Sequence, residues 1–132
     1  MNKDDIPIIY QDDDLIVAVK PNGLLSVPGR APENKDCLIS RIQQTRPEAL
    51  TVHRLDCETS GLVVLACNKA SQRELSRQFH DREIQKQYIA VVDGVMKHDQ
   101  GEIDLPLICD WPNRPRQMVD LERGKPSQTQ YH

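Results

Sequence analysis

The sequence predicts an α+β domain. Five or more short runs of aliphatic and β-branched residues lie between turn-forming clusters, only two stretches have the spacing of helices with one buried face, and the first two runs carry a hairpin signal. Leu, Ile, Val and Phe together make up a quarter of the 132 residues, above the roughly one-fifth level below which a chain cannot bury a core.

Ile8-Ile9-Tyr10 and Leu15-Ile16-Val17-Ala18-Val19 read as two strands joined by the acidic turn Asp12-Asp13-Asp14. Lys20-Pro21-Asn22-Gly23 is turn chemistry, and Pro28-Gly29 and Pro32 extend an irregular stretch. Asp36 is placed to cap a helix running to about Thr45 that buries Leu38, Ile39 and Ile42, and Pro47 prevents its continuation. Thr51 to Leu55 starts another extended segment, and a polar loop then leads into a strand over 62–67. The spacing predicts a helix over 69–81, with Leu75 and Phe79 one turn apart on its inner side. Tyr88 to Val92 reads as a strand ended by Asp93-Gly94. Pro106 interrupts the run from Ile103 to Ile108, which therefore belongs at an edge or a bulge. Trp111-Pro-Asn-Arg-Pro is a loop by composition; Met118 to Leu121 and Thr129 onward are further pairing segments.

The net charge of −3 comes from the leader, where Lys3 faces Asp4, Asp5, Asp12, Asp13 and Asp14, while the rest of the chain is nearly balanced. Whole-chain charge therefore does not argue against an RNA partner. The longest apolar run, Leu62 to Cys67, is far shorter than the ~20 residues of a membrane span. No basic start followed by an apolar stretch marks a secretory signal. The expectation is a cytoplasmic protein with no membrane partner. Cys37, Cys57, Cys67 and Cys109 form no Cys-x-x-Cys pair, so reduced thiols are expected and no metal site.

Functional side chains concentrate in His53-Arg54-Leu55-Asp56-Cys57-Glu58-Thr59-Ser60-Gly61-Leu62. A carboxylate held beside a guanidinium stays ionised and can act as a nucleophile without a metal. Gly61 lets the backbone turn sharply into the following strand, and Thr59 and Ser60 are able to bond loop amides. Residue types alone leave a plain turn closed by an Arg54–Asp56 salt bridge as the alternative.

His-Arg-Leu-Asp-x-x-Thr-Ser-Gly-Leu at 53–62 resembles the signature of the RluA family of RNA pseudouridine synthases. Lys20-Pro-Asn-Gly-Leu-Leu-Ser-Val-Pro28, Lys86-Gln-Tyr88 with Ala90, and Gly124-Lys-Pro126 with Thr129 and Tyr131 match in the same order. Leu105-Pro-Leu-Ile-Cys-Asp-Trp-Pro-Asn-Arg-Pro115 resembles the dual-specificity branch, which modifies 23S rRNA and tRNA. The resemblance implies the family's catalytic-domain fold, a mixed, largely antiparallel sheet with flanking helices. It also implies isomerisation of uridine to pseudouridine in structured RNA, without a cofactor and by a monomer. The family's later Gly-Arg-x-His-Gln-x-Arg type motif has no counterpart, and neither has an S4-like domain. The resemblance therefore makes residues 1–132 the front portion of a single catalytic domain with its C-terminal part missing.

On the same resemblance Asp56 is the catalytic aspartate, Arg54 enters the gap left by the flipped nucleotide, and Tyr88 stacks on the target base. Base flipping costs a few kcal/mol unless the vacated stack is filled, which gives the arginine a physical reason. His53 is expected to orient the loop or pack on a neighbour, not to act as the base. Lys69, Arg73 and Arg77 recur every four residues as a possible phosphate-following stripe, with a solvated helix face as the alternative. Arg114 and Arg116 flank Pro115 in the Trp111 loop, and Lys20, Arg30 and Lys125 lie in other loops from which RNA is within reach. Two other functions compete: a truncated paralogue that binds RNA without chemistry, and an aspartate-dependent hydrolase.

Overall fold

The computed structural model describes residues 5–132, in two compact units that divide between Gln87 and Tyr88. The acidic leader is described only from Asp5 onward. In the first unit, β1 (Ile8–Gln11), β2 (Leu15–Lys20), β3 (Leu50–Thr51) and β4 (Gly61–Ala66) form one antiparallel sheet in the order β1-β2-β4-β3. The β1–β2 turn is made as its aspartates suggest. Asp12 Oδ1 accepts from the backbone N–H groups of Asp14 and Leu15, at 2.8 Å each. Those bonds hold the Asp12 carboxyl below its ordinary pKa, that from Leu15 contributing most.

Strand alternation places Ile16 and Ala18 of β2 on the same sheet face as Leu65 and Val63, their partners on β4. Against this face pack Leu38, Ile39 and Ile42 of helix α1 (Leu38–Gln43), with Leu24, Cys37, Ala49 and Leu55 completing the core. Helix α1 starts one residue later than Asp36 suggests. Cys37 is its N-cap, with its N–H donating to Ser40 Oγ at 3.0 Å, while Asp36 is instead engaged by the Arg41 guanidinium at 2.6 Å. A 3₁₀ turn over Pro32–Lys35 precedes it.

Helix α2 (Lys69–His80) matches its predicted span closely. Asn68 caps it by accepting from Ser71 N–H at 2.9 Å, and Asp14 of the hairpin turn accepts from both Asn68 Nδ2 and Ser71 Oγ. Leu75 and Phe79 are half-buried on its inner side, and no residue of the helix is fully buried.

In the second unit β5 (Gly101–Asp104) pairs with β8 (Gln128–Tyr131), and β6 (Leu107–Cys109) with β7 (Gln117–Val119), all antiparallel. Pro106 separates β5 from β6, so the run it interrupts serves two different ladders. Gly124 approaches the Asp120 carbonyl and Pro106 so closely that a Cβ has no room, and beside it the main chain of Lys125 bridges that of Leu107.

The expected strand at Tyr88–Val92 is not formed: residues 84–100 contain neither strand nor helix. Ile89 and Val91 are fully exposed, and Tyr88 is 58% exposed. β-branched composition favours a pleated surface only where a neighbouring strand supplies hydrogen bonds and side-chain contacts, and among the described residues this segment has no partner strand.

Candidate active-site loop

The loop from His53 to Ser60 leaves β3 and returns into β4. At its centre Leu55 is buried in the core, and Ser26 clamps its main chain at both polar groups. The Ser26 hydroxyl donates to the Leu55 carbonyl at 2.6 Å and accepts from the Leu55 N–H at 3.0 Å. With Leu55 turned inward, its neighbours Arg54 and Asp56 are both exposed. Asp56 then opens a tight turn closed by Thr59 N–H donating to its carbonyl at 3.1 Å, and Gly61, at φ +132°, takes the chain into β4.

Residues 20–24 secure the far side of this loop. Gly23 N–H and Lys20 Nζ both donate to the Cys57 carbonyl, at 2.9 and 3.0 Å, and Asn22 Nδ2 donates to that of Glu58 at 2.6 Å. Lys20 also donates to the carbonyls of Leu24 at 2.6 Å and Pro21 at 3.1 Å, so its three N–H groups are all engaged. Its residue surface is wholly buried. Burial pulls the ammonium below its ordinary pKa, opposed by the electrostatic influence of Cys57, Glu58 and Asp56, in that order.

Lys20 therefore corrects an expectation: its ammonium is spent on main-chain carbonyls inside the protein and does not reach an RNA phosphate. The contribution of this lysine and of Ser26 and Asn22 to the loop was not drawn from the sequence, although all three lie in the matched 20–28 segment. The spacing of Lys20 and Leu24 across a Pro-Asn-Gly turn was the available signal.

Arg54 and Asp56 form no ion pair with each other among the described residues, so the salt-bridged turn is not the arrangement adopted. Extended residues two apart share a face but are separated by about two strand rises, ~6–7 Å. Asp56 is one of the groups whose electrostatic influence acts on the buried Lys20 ammonium.

His53 takes a role in the sheet. Past Thr51 the main chain leaves β4, and His53 Nε2 accepts from Val64 N–H at 3.0 Å in place of a strand carbonyl. Its ring stacks on Phe79 of α2, centroids 4.2 Å apart. Burial, then the nearby charge of Lys86, holds the imidazole below its ordinary pKa. An Nε2 that accepts a hydrogen bond is unprotonated, so this ring positions the loop as a neutral group.

The α2 stripe divides. Lys69 and Arg73 are exposed, but Arg77 is held by Glu74, Asp81 and Glu83 at 2.8, 3.0 and 2.6 Å. The Arg77 and Gln78 bonds lower the Glu74 carboxyl to about 2, and the three carboxylates raise the Arg77 guanidinium. With three carboxylates around one guanidinium, Arg77 adds no net positive charge for a phosphate, which corrects the three-residue stripe. Arg30, Arg114, Arg116 and Lys125 are exposed. Tyr88 is exposed at the start of the second unit. Among the described residues no group of three or more His, Cys, Asp or Glu is gathered to hold a metal ion. No helix among them is long and apolar enough to cross a membrane.

Comparison with known proteins places this loop in a family. A family model for RNA pseudouridylate synthase matches residues 14–132. The chain is 59% identical over 124 residues to the dual-specificity RNA pseudouridine synthase RluA of Yersinia pestis, covering 94% of this chain and 60% of that protein. For the RluA of Escherichia coli K12 the identity is 58%, with 94% of this chain and 57% of that protein covered. The chain thus spans a little over half the length of the curated relatives it matches. Among solved structures, human RNA pseudouridylate synthase domain containing 1 superposes with a TM-score of 0.75 at 23% identity, covering 96% of this chain and 51% of the other. Human RNA pseudouridylate synthase domain containing 4 gives 0.69 at 25%, covering 95% and 48%.

Proposed function

Because the chain belongs to the RNA pseudouridylate synthase family, we propose that it serves to isomerise specific uridines in structured RNA, in rRNA and tRNA loops, to pseudouridine. In this reading Asp56 is the catalytic carboxylate that acts on the target uridine. The bond between N1 of the base and C1′ of the ribose breaks, the uracil rotates, and a bond forms from C5 to C1′. The proton on C5 leaves and N1 gains one, so the product is an isomer of the substrate and the reaction needs no cofactor. Tyr88 stacks on the target base, and Arg54 fills the vacated position in the RNA stack. The protein acts as a monomer in the cytoplasm.

The observation that carries this reading is the inward anchoring of Leu55 by Ser26, which leaves Arg54 and Asp56 outward on one short, tied loop. A carboxylate that acts on the uridine and a cation that replaces the extruded base have to face the same RNA, and alternation about a buried leucine provides that. Exposed Arg30, Lys69, Arg73, Arg114, Arg116 and Lys125 supply the phosphate contacts in this reading.

Tritium release from RNA labelled at uridine C5 tests it. The protein carrying this chain is expected to release tritium, and the Asp56→Asn variant to release none. A full rate from Asp56→Asn would remove Asp56 from the reaction. Salt-sensitive RNA binding with no pseudouridine formed by either protein would select the non-catalytic RNA-binding alternative.

A further inference from the structure

The β6–β7 hairpin ends in a tip that exposes Trp111, the single tryptophan of the chain, at 67% of its surface. The Arg114 guanidinium lies over its ring, 4.1 Å from the centroid. The tip is closed by its own main chain. Asp110 N–H donates to the Arg116 carbonyl at 2.9 Å, Asn113 N–H to that of Asp110 at 3.0 Å, and Arg116 N–H to that of Asn113 at 3.1 Å. Asn113 Nδ2 also donates to Asp110 Oδ2 at 2.8 Å, engaging the one carboxylate of residues 110–116. The result is a large aromatic plane backed by one cation, with a second cation, Arg116, on the same closed turn.

We propose that Trp111 and Arg114 form a stacking platform for an unpaired nucleobase of the substrate RNA, distinct from the uridine that reacts, with Arg116 on the adjoining phosphate. The proposal rests on the RNA reading above and adds to it a residue pair that selects an open loop over a duplex. Aromatic rings and guanidinium planes are the side chains on which splayed bases stack, and a base inside a duplex has no free face to offer. A protein partner is less well matched at the tip itself, because residues 110–116 present one exposed aromatic ring among charged and polar groups rather than an extended apolar surface.

Trp111 reports on its own contacts. In the 132-residue chain its emission is expected to be quenched saturably by a short RNA hairpin with an unpaired loop, and little by a fully paired duplex of the same stem sequence. Anisotropy of the labelled hairpin is expected to show roughly ten- to hundredfold weaker binding for Trp111→Ala, and near wild-type binding for Trp111→Phe. Trp111→Ala is expected to raise KM for the hairpin with kcat little changed, and circular dichroism checks that it folds. Bound hairpin with unchanged tryptophan emission, or wild-type affinity in a folded Trp111→Ala, overturns the platform alone. Absence of any hairpin binding overturns both the platform and the RNA reading.

Discussion

Around Leu55 the exposed residues of the proposed reaction stand on a buried anchor, with Ser26 on both main-chain polar groups and Lys20, Asn22 and Gly23 holding the next turn. Around Tyr88 the apolar side chains themselves face outward and no ladder runs through the main chain. Both stretches carry the family's sequence pattern. The difference lies in where the stabilising contacts come from. The Asp56 loop is tied to residues about 30 positions earlier, whereas the Tyr88 segment has strand-forming side chains and no neighbouring strand among the described residues. Local preference becomes structure only when a partner is present to receive it.

Removing the charge at the centre of the tied loop is expected to have the largest effect. Lys20→Met keeps most of the side-chain volume and strands three carbonyls, those of Pro21, Leu24 and Cys57. Urea unfolding is expected to show a loss of about 3 kcal/mol, and a loss under 1 kcal/mol would mean that the lysine does not hold the loop. Ser26→Ala ranks next. It leaves the buried N–H and C=O of Leu55 without their partner, for about 2 kcal/mol, with faster hydrogen exchange at Leu55. In an active preparation the same variant is expected to lower kcat, because Arg54 and Asp56 lose the anchor between them.

A smaller effect sharpens the comparison through pH. The folded His53 pKa lies below its unfolded value of about 6.5, so folding favours the neutral ring. Its contribution is therefore fully present above about pH 6.5 and is lost as pH falls through that value toward the folded pKa. His53→Phe can still stack on Phe79 but leaves Val64 N–H without an acceptor, at a cost of about 1 kcal/mol at neutral pH. The difference in stability between the two proteins is expected to shrink on acidification from pH 7 to 5. A difference independent of pH would show that the ring is not held neutral.

These rankings follow the line between what the sequence made legible and what it did not. Turns and breaks made by nearby residues were readable: Asp12 bonds within its own hairpin, and Pro106 breaks its own run. The positions of Arg54 and Asp56 in one polar loop were readable too, because a four-residue motif carries them. Lys20 was not, since a lysine's usual place is the surface and only three carbonyls gathered from two segments make its burial tolerable. Arg77 was misread because Glu83, which lies beyond the helix, folds back to join Glu74 and Asp81 around it. Asp36 was displaced as a cap by a competing bond to Arg41. For Lys20 and Arg77 a deciding partner, Cys57 or Glu83, lies outside the local pattern that prompted the expectation, whereas the bond that displaces Asp36 comes from within the predicted helix itself.

The smallest expected effect is the most direct test of that contrast. Val91 and Val63 both lie in β-branched runs, yet Val91 is fully exposed and Val63 is 1% exposed on β4. Replacing a methyl by a hydroxyl at Val63 buries a polar group in the core beside Ala18, so Val63→Thr is expected to cost about 2 kcal/mol. The same exchange at Val91 alters only hydrated surface and is expected to stay within about 0.5 kcal/mol, with rapid amide exchange through 88–92. A cost at Val91 approaching that at Val63 would mean that the Tyr88 segment packs in solution as a strand, and the contrast with the Asp56 loop would disappear. A near-zero cost would show that the Val91 side chain contributes nothing to the stability of this chain, as its full exposure implies.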